Sequence, residues 1–161
     1  MLNCWSPFVC LLVVTSFFGL ATTSYAASEA PRFASLRHDK VYLRVGPGKQ
    51  YPIAWVYQRQ NLPVKILARF DLWRKVRDPI GDEGWIHKSL LSNKRFAIIT
   101  KKTRTLFRTA GGSVPVIRAE PGVQGQIITC TEQHCRLRVH ETDGWVDRAH
   151  LWGLYADEIL D

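Results

Sequence analysis

The feature that most constrains the fold is a short pattern that occurs twice, about 60 residues apart. Gly84-Trp85-Ile86, a polar run and Leu return as Gly144-Trp145-Val146 with the same kind of continuation. Each copy follows a patch of turn-forming residues. A repeat of this length is large enough to be a small domain. The chain is therefore interpreted as two copies of one small β module.

Length and charge add two expectations to this interpretation. The chain has 161 residues, and two modules of about 60 residues would each have a marginal core, so we expect them to pack against each other. The formal net charge is +8, and no charged side chain precedes Glu29. Such a charge favours an anionic partner such as an acidic glycan, or is simply a solvated basic surface.

The first 26 residues have the pattern of a secretory signal peptide. An apolar run from Phe8 to Leu20 is followed by small residues, with Ser24 and Ala26 placed for cleavage after Ala26. Residues 27–32 are then a linker. The alternative is an uncleaved anchor, but the apolar run is short for a bilayer span. We expect an exported protein, periplasmic or secreted, that meets a membrane only through this segment if it is uncleaved.

The rest of the chain reads as short strands. Segments rich in β-branched and aromatic residues are separated by Gly, Pro and Asn turns, with no long helical period, which predicts an all-β fold. The first module is placed at residues 33–95 and the second at 96–161. Residues 96–100 are expected to pair back onto the first sheet. In the first module the predicted strands are 41–45, 53–57, 62–68 and 72–77.

Several of these segments resemble the bacterial SH3 (SH3b) domain. The second half is similar to the tail of exported two-repeat SH3-like proteins, although His134 stands where the family has Trp. The resemblance covers about residues 33–155. It implies two tandem SH3-like small β-barrels and a binding rather than a catalytic role. The residues that carry it in the first module are Tyr42-Leu43-Arg44, the loop 46–52, Trp73-Arg74-Lys75-Val76 and Gly84-Trp85-Ile86.

The resemblance also implies a ligand groove between two loops, floored by aromatic side chains. Trp73 opens the strand at this groove, Trp85 precedes the closing turn, and Tyr42 flanks both. If Val76 points into the core, Trp73 lies on the other face of its strand. For Trp85 a packing role is favoured over a ligand contact, because Trp is on average highly buried. Arg44 and Lys49 are the candidate charge partners of a ligand in this groove.

Charge selects among ligands for such a groove. Arg44 and Lys49 would repel the Arg of a proline-rich SH3 ligand, whereas a cell-wall peptide or an anionic glycan fits them. The favoured hypothesis is non-catalytic binding of peptidoglycan, its stem peptides or another anionic envelope ligand. The second hypothesis is an adaptor that pairs with an envelope protein through a sheet edge, and the third is an envelope hydrolase. Nucleic acid is not an expected partner of an exported protein.

The two cysteines of the second module predict a disulfide. Cys130 and Cys135 enclose four residues, which a hairpin would place opposite each other. Export supports the bond, and free thiols are the alternative. A zinc site with His134 and His140 is disfavoured, because neighbouring strand residues point to opposite faces. We expect no metal and no cofactor.

No catalytic constellation is recognised in the chain. His87, Ser89 and Asp82 lie close in sequence, but no nucleophile elbow frames them. Cys135 with His140 would suggest a cysteine hydrolase, yet the pairing of Cys135 with Cys130 argues for a structural bridge. The sequence therefore predicts that the protein is not an enzyme.

Basic residues also gather between the modules. On a strand, Lys102, Arg104 and Arg108 would share one face. This face is a docking stripe for an anionic polymer or a solvated strand face that blocks aggregation. The full set is Lys94, Arg95, Lys101, Lys102, Arg104 and Arg108.

Overall fold

The computed structural model describes residues 32–160, which form fourteen strands and two 3₁₀ turns. The predicted signal segment and its cleavage site lie outside these residues. The part of the chain that is described contains no helix long and apolar enough to cross a membrane. The first repeat comprises β1 Arg32–Leu36, β2 Lys40–Arg44, β3 Ile53–Gln58, β4 Pro63–Phe70, β5 Trp73–Arg77, β6 Glu83–His87, the 3₁₀ turn Lys88–Leu90 and β7 Leu91–Ser92.

The second repeat has the same elements in the same order. Each repeat forms one seven-stranded antiparallel sheet, with orders β3-β2-β6-β5-β4-β1-β7 and β10-β9-β13-β12-β11-β8-β14. The all-β fold with two tandem SH3-like barrels is thereby confirmed. The elements are β8 Phe96–Ile99, β9 Arg104–Phe107, β10 Pro115–Ala119, β11 Gln124–Cys130, β12 His134–Val139, β13 Thr142–Asp147, the 3₁₀ turn Arg148–His150 and β14 Leu151–Trp152.

Close packing explains why Gly recurs before Trp in both repeats. Inward side chains such as Leu43 on β2 and Leu106 on β9 form the two apolar cores. A Cβ on Gly84 would lie 2.6 Å from Leu43 Cγ, and one on Gly144 would lie 2.6 Å from Leu106 Cβ. Any side chain at either glycine would overlap the core. The repeated Gly is thus a packing requirement of the barrel.

The first strand of each repeat was not recognised correctly in the sequence. Strand β1 was not predicted at all, and β8 pairs with β11 and β14 of the second sheet. The expectation that residues 96–100 pair back onto the first sheet is therefore wrong. Ile98 on β8 nevertheless packs into the core cluster of the first repeat. A strand buried on both faces joins the two repeats at this point.

Aromatic rings fasten the two repeats together. Phe33 on β1 meets Trp152 edge to face with ring centroids 5.1 Å apart, and meets Tyr155 at 5.0 Å. The ammonium of Lys65 lies 5.1 Å from the centroid of the Tyr155 ring. Phe33 is 7% exposed, so its ring is almost wholly removed from water. The two repeats thus pack against each other, as the small size of each core led us to expect.

The segment after β14 folds back onto the second repeat. Both terminal nitrogens of Arg95 donate to the carboxylate of Glu158, and Nη2 also donates to Gly153 O at 2.9 Å. Nη2 of Arg148 donates to Tyr155 O at 2.5 Å and to Glu158 O at 2.8 Å. The hydrogen bonds from Arg95 lower the pKa of Glu158. We call residues 153–160 the C-terminal segment.

Truncation of Phe33 tests the aromatic contact between the repeats. Phe33→Ala removes a buried ring and leaves a cavity, so the free energy of unfolding should fall by about 3 kcal/mol. The matched control is Phe70→Ala, because Phe70 is 56% exposed and should cost less than about 1 kcal/mol. Urea unfolding followed by Trp fluorescence measures both. Equal losses in the two variants would contradict this role for Phe33.

The pKa of Glu158 predicts how stability depends on pH. Because its folded pKa is lowered, its contribution is complete above the unfolded value of about 4.3 and fades as pH falls through the folded value. Glu158→Gln should therefore be less stable than the parent at pH 7, by about 1 kcal/mol, and equal to it near pH 2. Thermal melts across this range measure the difference. The control is Asp157→Asn, and a difference that persists at the lowest pH would refute the assignment.

Candidate functional site

The outward face of β2, β6 and β5 carries most of the residues predicted for the first-repeat groove. In the strand register Arg44 pairs with Trp85, and Trp85 pairs with Lys75. Paired residues share a face of the sheet, so these three side chains stand in one row. Val76 is fully buried, which places Trp73 on the outward face of β5 as predicted, together with Lys75 and Arg77.

Trp73 lies at one end of this face. It pairs with His87 in the register, and their rings meet edge to face at 5.4 Å between centroids. His87 Nδ1 accepts from Ser89 N at 3.3 Å and lies 2.7 Å from Ser89 Oγ, so His87 caps the 3₁₀ turn. Lys88 N donates to Leu72 O at 2.8 Å, which ties this turn to the loop before Trp73. Trp73 therefore has a fixed orientation on the sheet.

Arg44 holds the loop that carries Lys49. Its Nη1 donates to Lys49 O at 3.0 Å and to Tyr51 O at 2.7 Å. In the same loop a Cβ on Gly46 would lie 2.4 Å from the ring of Tyr51, so the loop folds closely on that ring. Arg44 therefore positions the loop backbone, a role that the sequence did not reveal. Lys49 itself is exposed.

Tyr42 is the fifth predicted groove residue. It lies two residues before Arg44 on the outward face of β2, and the residue is 36% exposed. The ammonium of Lys40 lies 5.6 Å from the ring centroid. The structure thus places Tyr42, Arg44, Trp73 and Trp85 on one face, with Lys49 on the adjoining loop.

Acidic side chains moderate the positive charge of this face. Glu83 forms ion pairs with Lys75 at 2.7 Å and with Arg77 at 2.5 Å, and the hydrogen bonds from Lys75 and Arg77 lower its pKa. The second repeat has the same arrangement around Asp143, whose pKa is lowered by its hydrogen bond from Arg138. Each cluster joins two cations to one carboxylate, so one net positive charge remains in the cluster of each repeat.

The second repeat has a groove that the sequence analysis missed. It is a cavity of about 510 Å³ between the loop after β9 and the start of β12. Phe107 and Trp145 pair in the register, and His134 pairs with Asp147. These are the counterparts of Arg44 with Trp85 and of Trp73 with His87. The side chains that characterise the groove are Arg104, Phe107, His134, Trp145, Asp147 and His150.

An alignment of the second repeat with the first, residue by residue, could have found this groove. His134 opens β12 as Trp73 opens β5, and Asp147 caps its 3₁₀ turn as His87 does. The second groove therefore lies on the strands equivalent to those of the predicted first groove, but it has His134 where the first repeat has Trp73. The second groove is more polar at that end.

The predicted disulfide is confirmed and borders the second groove. Cys130 and Cys135 are bonded, with their Cα atoms 4.1 Å apart, and His134 directly precedes Cys135. The two sulfurs are thus used in a covalent bond, which removes the zinc and free-thiol alternatives for them. Among the described residues no group of three or more His, Cys, Asp and Glu side chains is placed to hold a metal ion.

The basic stripe between the modules does not form as interpreted. Arg104 shares the inward face of β9 with Leu106, and its Nε is buried. Arg95 pairs with Glu158 in the C-terminal segment. The strand therefore does not present a continuous row of solvated cations. The interpretation is wrong because Arg104 occupies an inward position of its strand. The equivalent position of the first repeat is occupied by Val41, a core residue.

A further concave surface lies between the repeats. This cleft has a volume of about 420 Å³ and includes Trp55, which is 54% exposed, and Ile80, which is 81% exposed. The loop that presents Ile80 is fixed by buried Asp78, whose Oδ1 accepts from the N–H groups of residues 80, 81 and 82. Asp78 Oδ2 accepts from Tyr57, and burial raises the pKa of that phenol. The cleft is a rigid, mostly apolar surface.

Comparisons with solved structures give two similar chains. NlpC2 from Trichomonas vaginalis is 13% identical and has a TM-score of 0.37 over 78% of this chain and 49% of that chain. NlpC1 from the same organism is 16% identical, with a TM-score of 0.36 over 86% of this chain and 50% of that chain. This chain thus spans about half the length of each. No curated protein matches it.

Comparison with protein families gives a match in both repeats. The model of the family described as "Bacterial SH3 domain" matches residues 37–93 and residues 108–153. Each match lies within one of the two repeats and includes its Gly-Trp pair, while β1, β8 and β9 fall outside the matched residues. Because the two matches together cover more than half of its residues, the chain belongs to the bacterial SH3 domain family.

Proposed function

We propose that the protein is a non-catalytic binding protein of the bacterial cell envelope whose ligand is peptidoglycan, through its stem peptides or another anionic part. The observation that carries this proposal is the joint placement of Tyr42, Trp73 and Trp85 on one outward face beside a loop bearing Lys49. Tyr42 is exposed and Trp73 and Trp85 are half-buried, so their outer faces give flat contact surface with little conformational entropy to lose. Membership in the bacterial SH3 family supports a binding role.

The chemistry of the face suits such a ligand. Stem peptides are short and carry carboxylates, and sugar rings pack well on aromatic side chains. Lys49 is exposed on the loop beside the aromatic row, where its ammonium would meet a carboxylate, and Arg44 holds this loop through the carbonyls of Lys49 and Tyr51. The net charge of +8 would draw an anionic polymer toward the protein before contact.

The absence of catalysis is part of the proposal. His87 and Ser89 are within hydrogen-bond distance, but their contact is the cap of a 3₁₀ turn. Cys135 is bonded to Cys130, which removes the thiol that a cysteine hydrolase would need. The proposed role needs no metal and no cofactor.

Export is also part of the proposal. The apolar segment of residues 1–26 has the pattern of a secretory signal. The disulfide between Cys130 and Cys135 supports an oxidising compartment, since such bonds rarely persist in the cytosol. The proposed location is the periplasm or the cell exterior.

Sedimentation with purified peptidoglycan tests the proposed function. The parent protein should bind, and Trp73→Ala should weaken binding by about tenfold because it removes a rigid aromatic contact. Binding should also weaken as salt is raised, because charge contributes. Trp55→Ala is the matched control: it removes the same side chain from the cleft between the repeats. Failure of the parent to sediment, or equal loss in both variants, would refute the proposed site.

A second function is favoured by one specific observation. Strand β3 is an edge of the first sheet and carries Ile53, 46% exposed, and Trp55, 54% exposed. An edge strand can pair with an extended segment of another protein. An envelope-protein adaptor would bind through this edge. Binding of the partner protein would be lost in Trp55→Ala and retained in Trp73→Ala. This is the reverse of the pattern expected for peptidoglycan.

A further inference from the structure

A pocket of the first repeat is unusually basic. It has a volume of about 340 Å³ and lies between β1, β5 and the first 3₁₀ turn. Among the described residues, no Asp or Glu lines it, and none of the five predicted groove residues takes part. We call it the basic pocket. Its cationic side chains are Arg32, Arg37, Arg74 and Lys88.

The second repeat has an equivalent of two of these cations. Arg32 pairs with Ile66 in the register, and Arg95 O accepts from Ile127 N, the counterpart of Ile66. Arg95 is therefore the counterpart of Arg32. Lys88 and Arg148 each open a 3₁₀ turn. Their N–H groups donate to Leu72 O and Gln133 O at the same point of the two folds.

In the second repeat these equivalent cations hold an acidic stretch of the chain itself. Arg95 binds both carboxylate oxygens of Glu158, which is the bidentate geometry that gives the strongest ion pairs. Arg148 donates to two backbone carbonyls of the same segment, those of Tyr155 and Glu158. The carboxylate also accepts from Tyr155 N at 3.1 Å, so the segment folds around it. This place in the fold thus holds an acidic segment of the same chain.

We propose that the basic pocket of the first repeat binds an acidic peptide segment of a partner protein, as the second repeat binds its own C-terminal segment. Lys88 takes the place of Arg148, and the guanidinium groups of Arg32 and Arg37 take the place of Arg95. Arg32 Nη1 also donates to Asn93 Oδ1 at 3.0 Å. Arg37 donates to Leu91 O at 3.2 and 3.0 Å, which fixes its side chain at the pocket rim. A guanidinium has five donors, so such contacts leave it capacity for a carboxylate.

The apolar residues of the basic pocket form its floor. Ala34, Ile66 and Leu91 belong to the core of the barrel and are at most 7% exposed. A ligand in this pocket would therefore meet mainly the cations, and the ligand class is an acidic peptide segment.

The experiment uses residues 153–161 as a labelled peptide added to the full chain, with binding followed by fluorescence anisotropy at low salt. The parent should bind, and a peptide with Glu158→Gln should bind about tenfold more weakly, since a charge-assisted contact is lost. Lys88→Ala in the protein should weaken binding by about tenfold as well. Lys102→Ala removes the same charge from outside the pocket and should leave binding unchanged.

Two further measurements keep the outcome decisive. Lys88→Arg should restore binding, because it recreates Arg148, and thermal melts establish that each variant is folded. Equal binding of the Glu and Gln peptides, or no effect of Lys88→Ala, would overturn the proposal; the second result would place the peptide on the second repeat. Trp73→Ala should not affect peptide binding, so this test is independent of the peptidoglycan proposal.

Discussion

The structure depends on apolar contact between two barrels that are each too small to be strongly stable alone. The contact is reciprocal: β8 of the second repeat places Ile98 in the core of the first, and β1 of the first places Phe33 against Trp152 and Tyr155. Both strands are buried on both faces, which is unusual in a small antiparallel sheet. The reason is that each strand closes its own barrel and also forms the interface. A fixed relation between the two grooves follows from this shared burial.

The two repeats keep what holds a barrel together and differ in what a ligand would meet. Both keep the Gly before Trp, an acidic residue paired with two cations of the neighbouring strand, and a capped 3₁₀ turn. They differ at the first residue of β5 and of its equivalent β12. The first repeat has Trp73 there, and the second has His134 beside a disulfide. The difference at these half-buried positions left the packing of the cores intact. The duplication therefore supplies two surfaces of different polarity on one scaffold.

The sequence predicted the fold because its strongest signals are also packing requirements. Gly84 and Gly144 recur since a Cβ would overlap the core, and the cysteine spacing matches a hairpin. Strand β1 was missed because a strand buried on both faces lacks the polar alternation that marks a half-buried one. Arg104 was misplaced for a related reason: pattern alone did not show that an arginine occupies an inward position. The loop-holding role of Arg44 depends on backbone carbonyls, which leave no trace in the side-chain pattern.

The rigid relation between the grooves matters for any ligand long enough to reach both. When two sites are joined by a flexible linker, the second contact is favoured only by the linker's effective concentration. Here the aromatic contact of Phe33 and the hydrogen bonds from Arg59 to Gly122 O and from Gln124 to Gln60 O fix the sites instead. A polymer whose spacing fits would gain both contacts with little further ordering, and one that does not fit would gain only one. Selectivity for a repeating ligand would thus come from the interface between the repeats as well as from either groove.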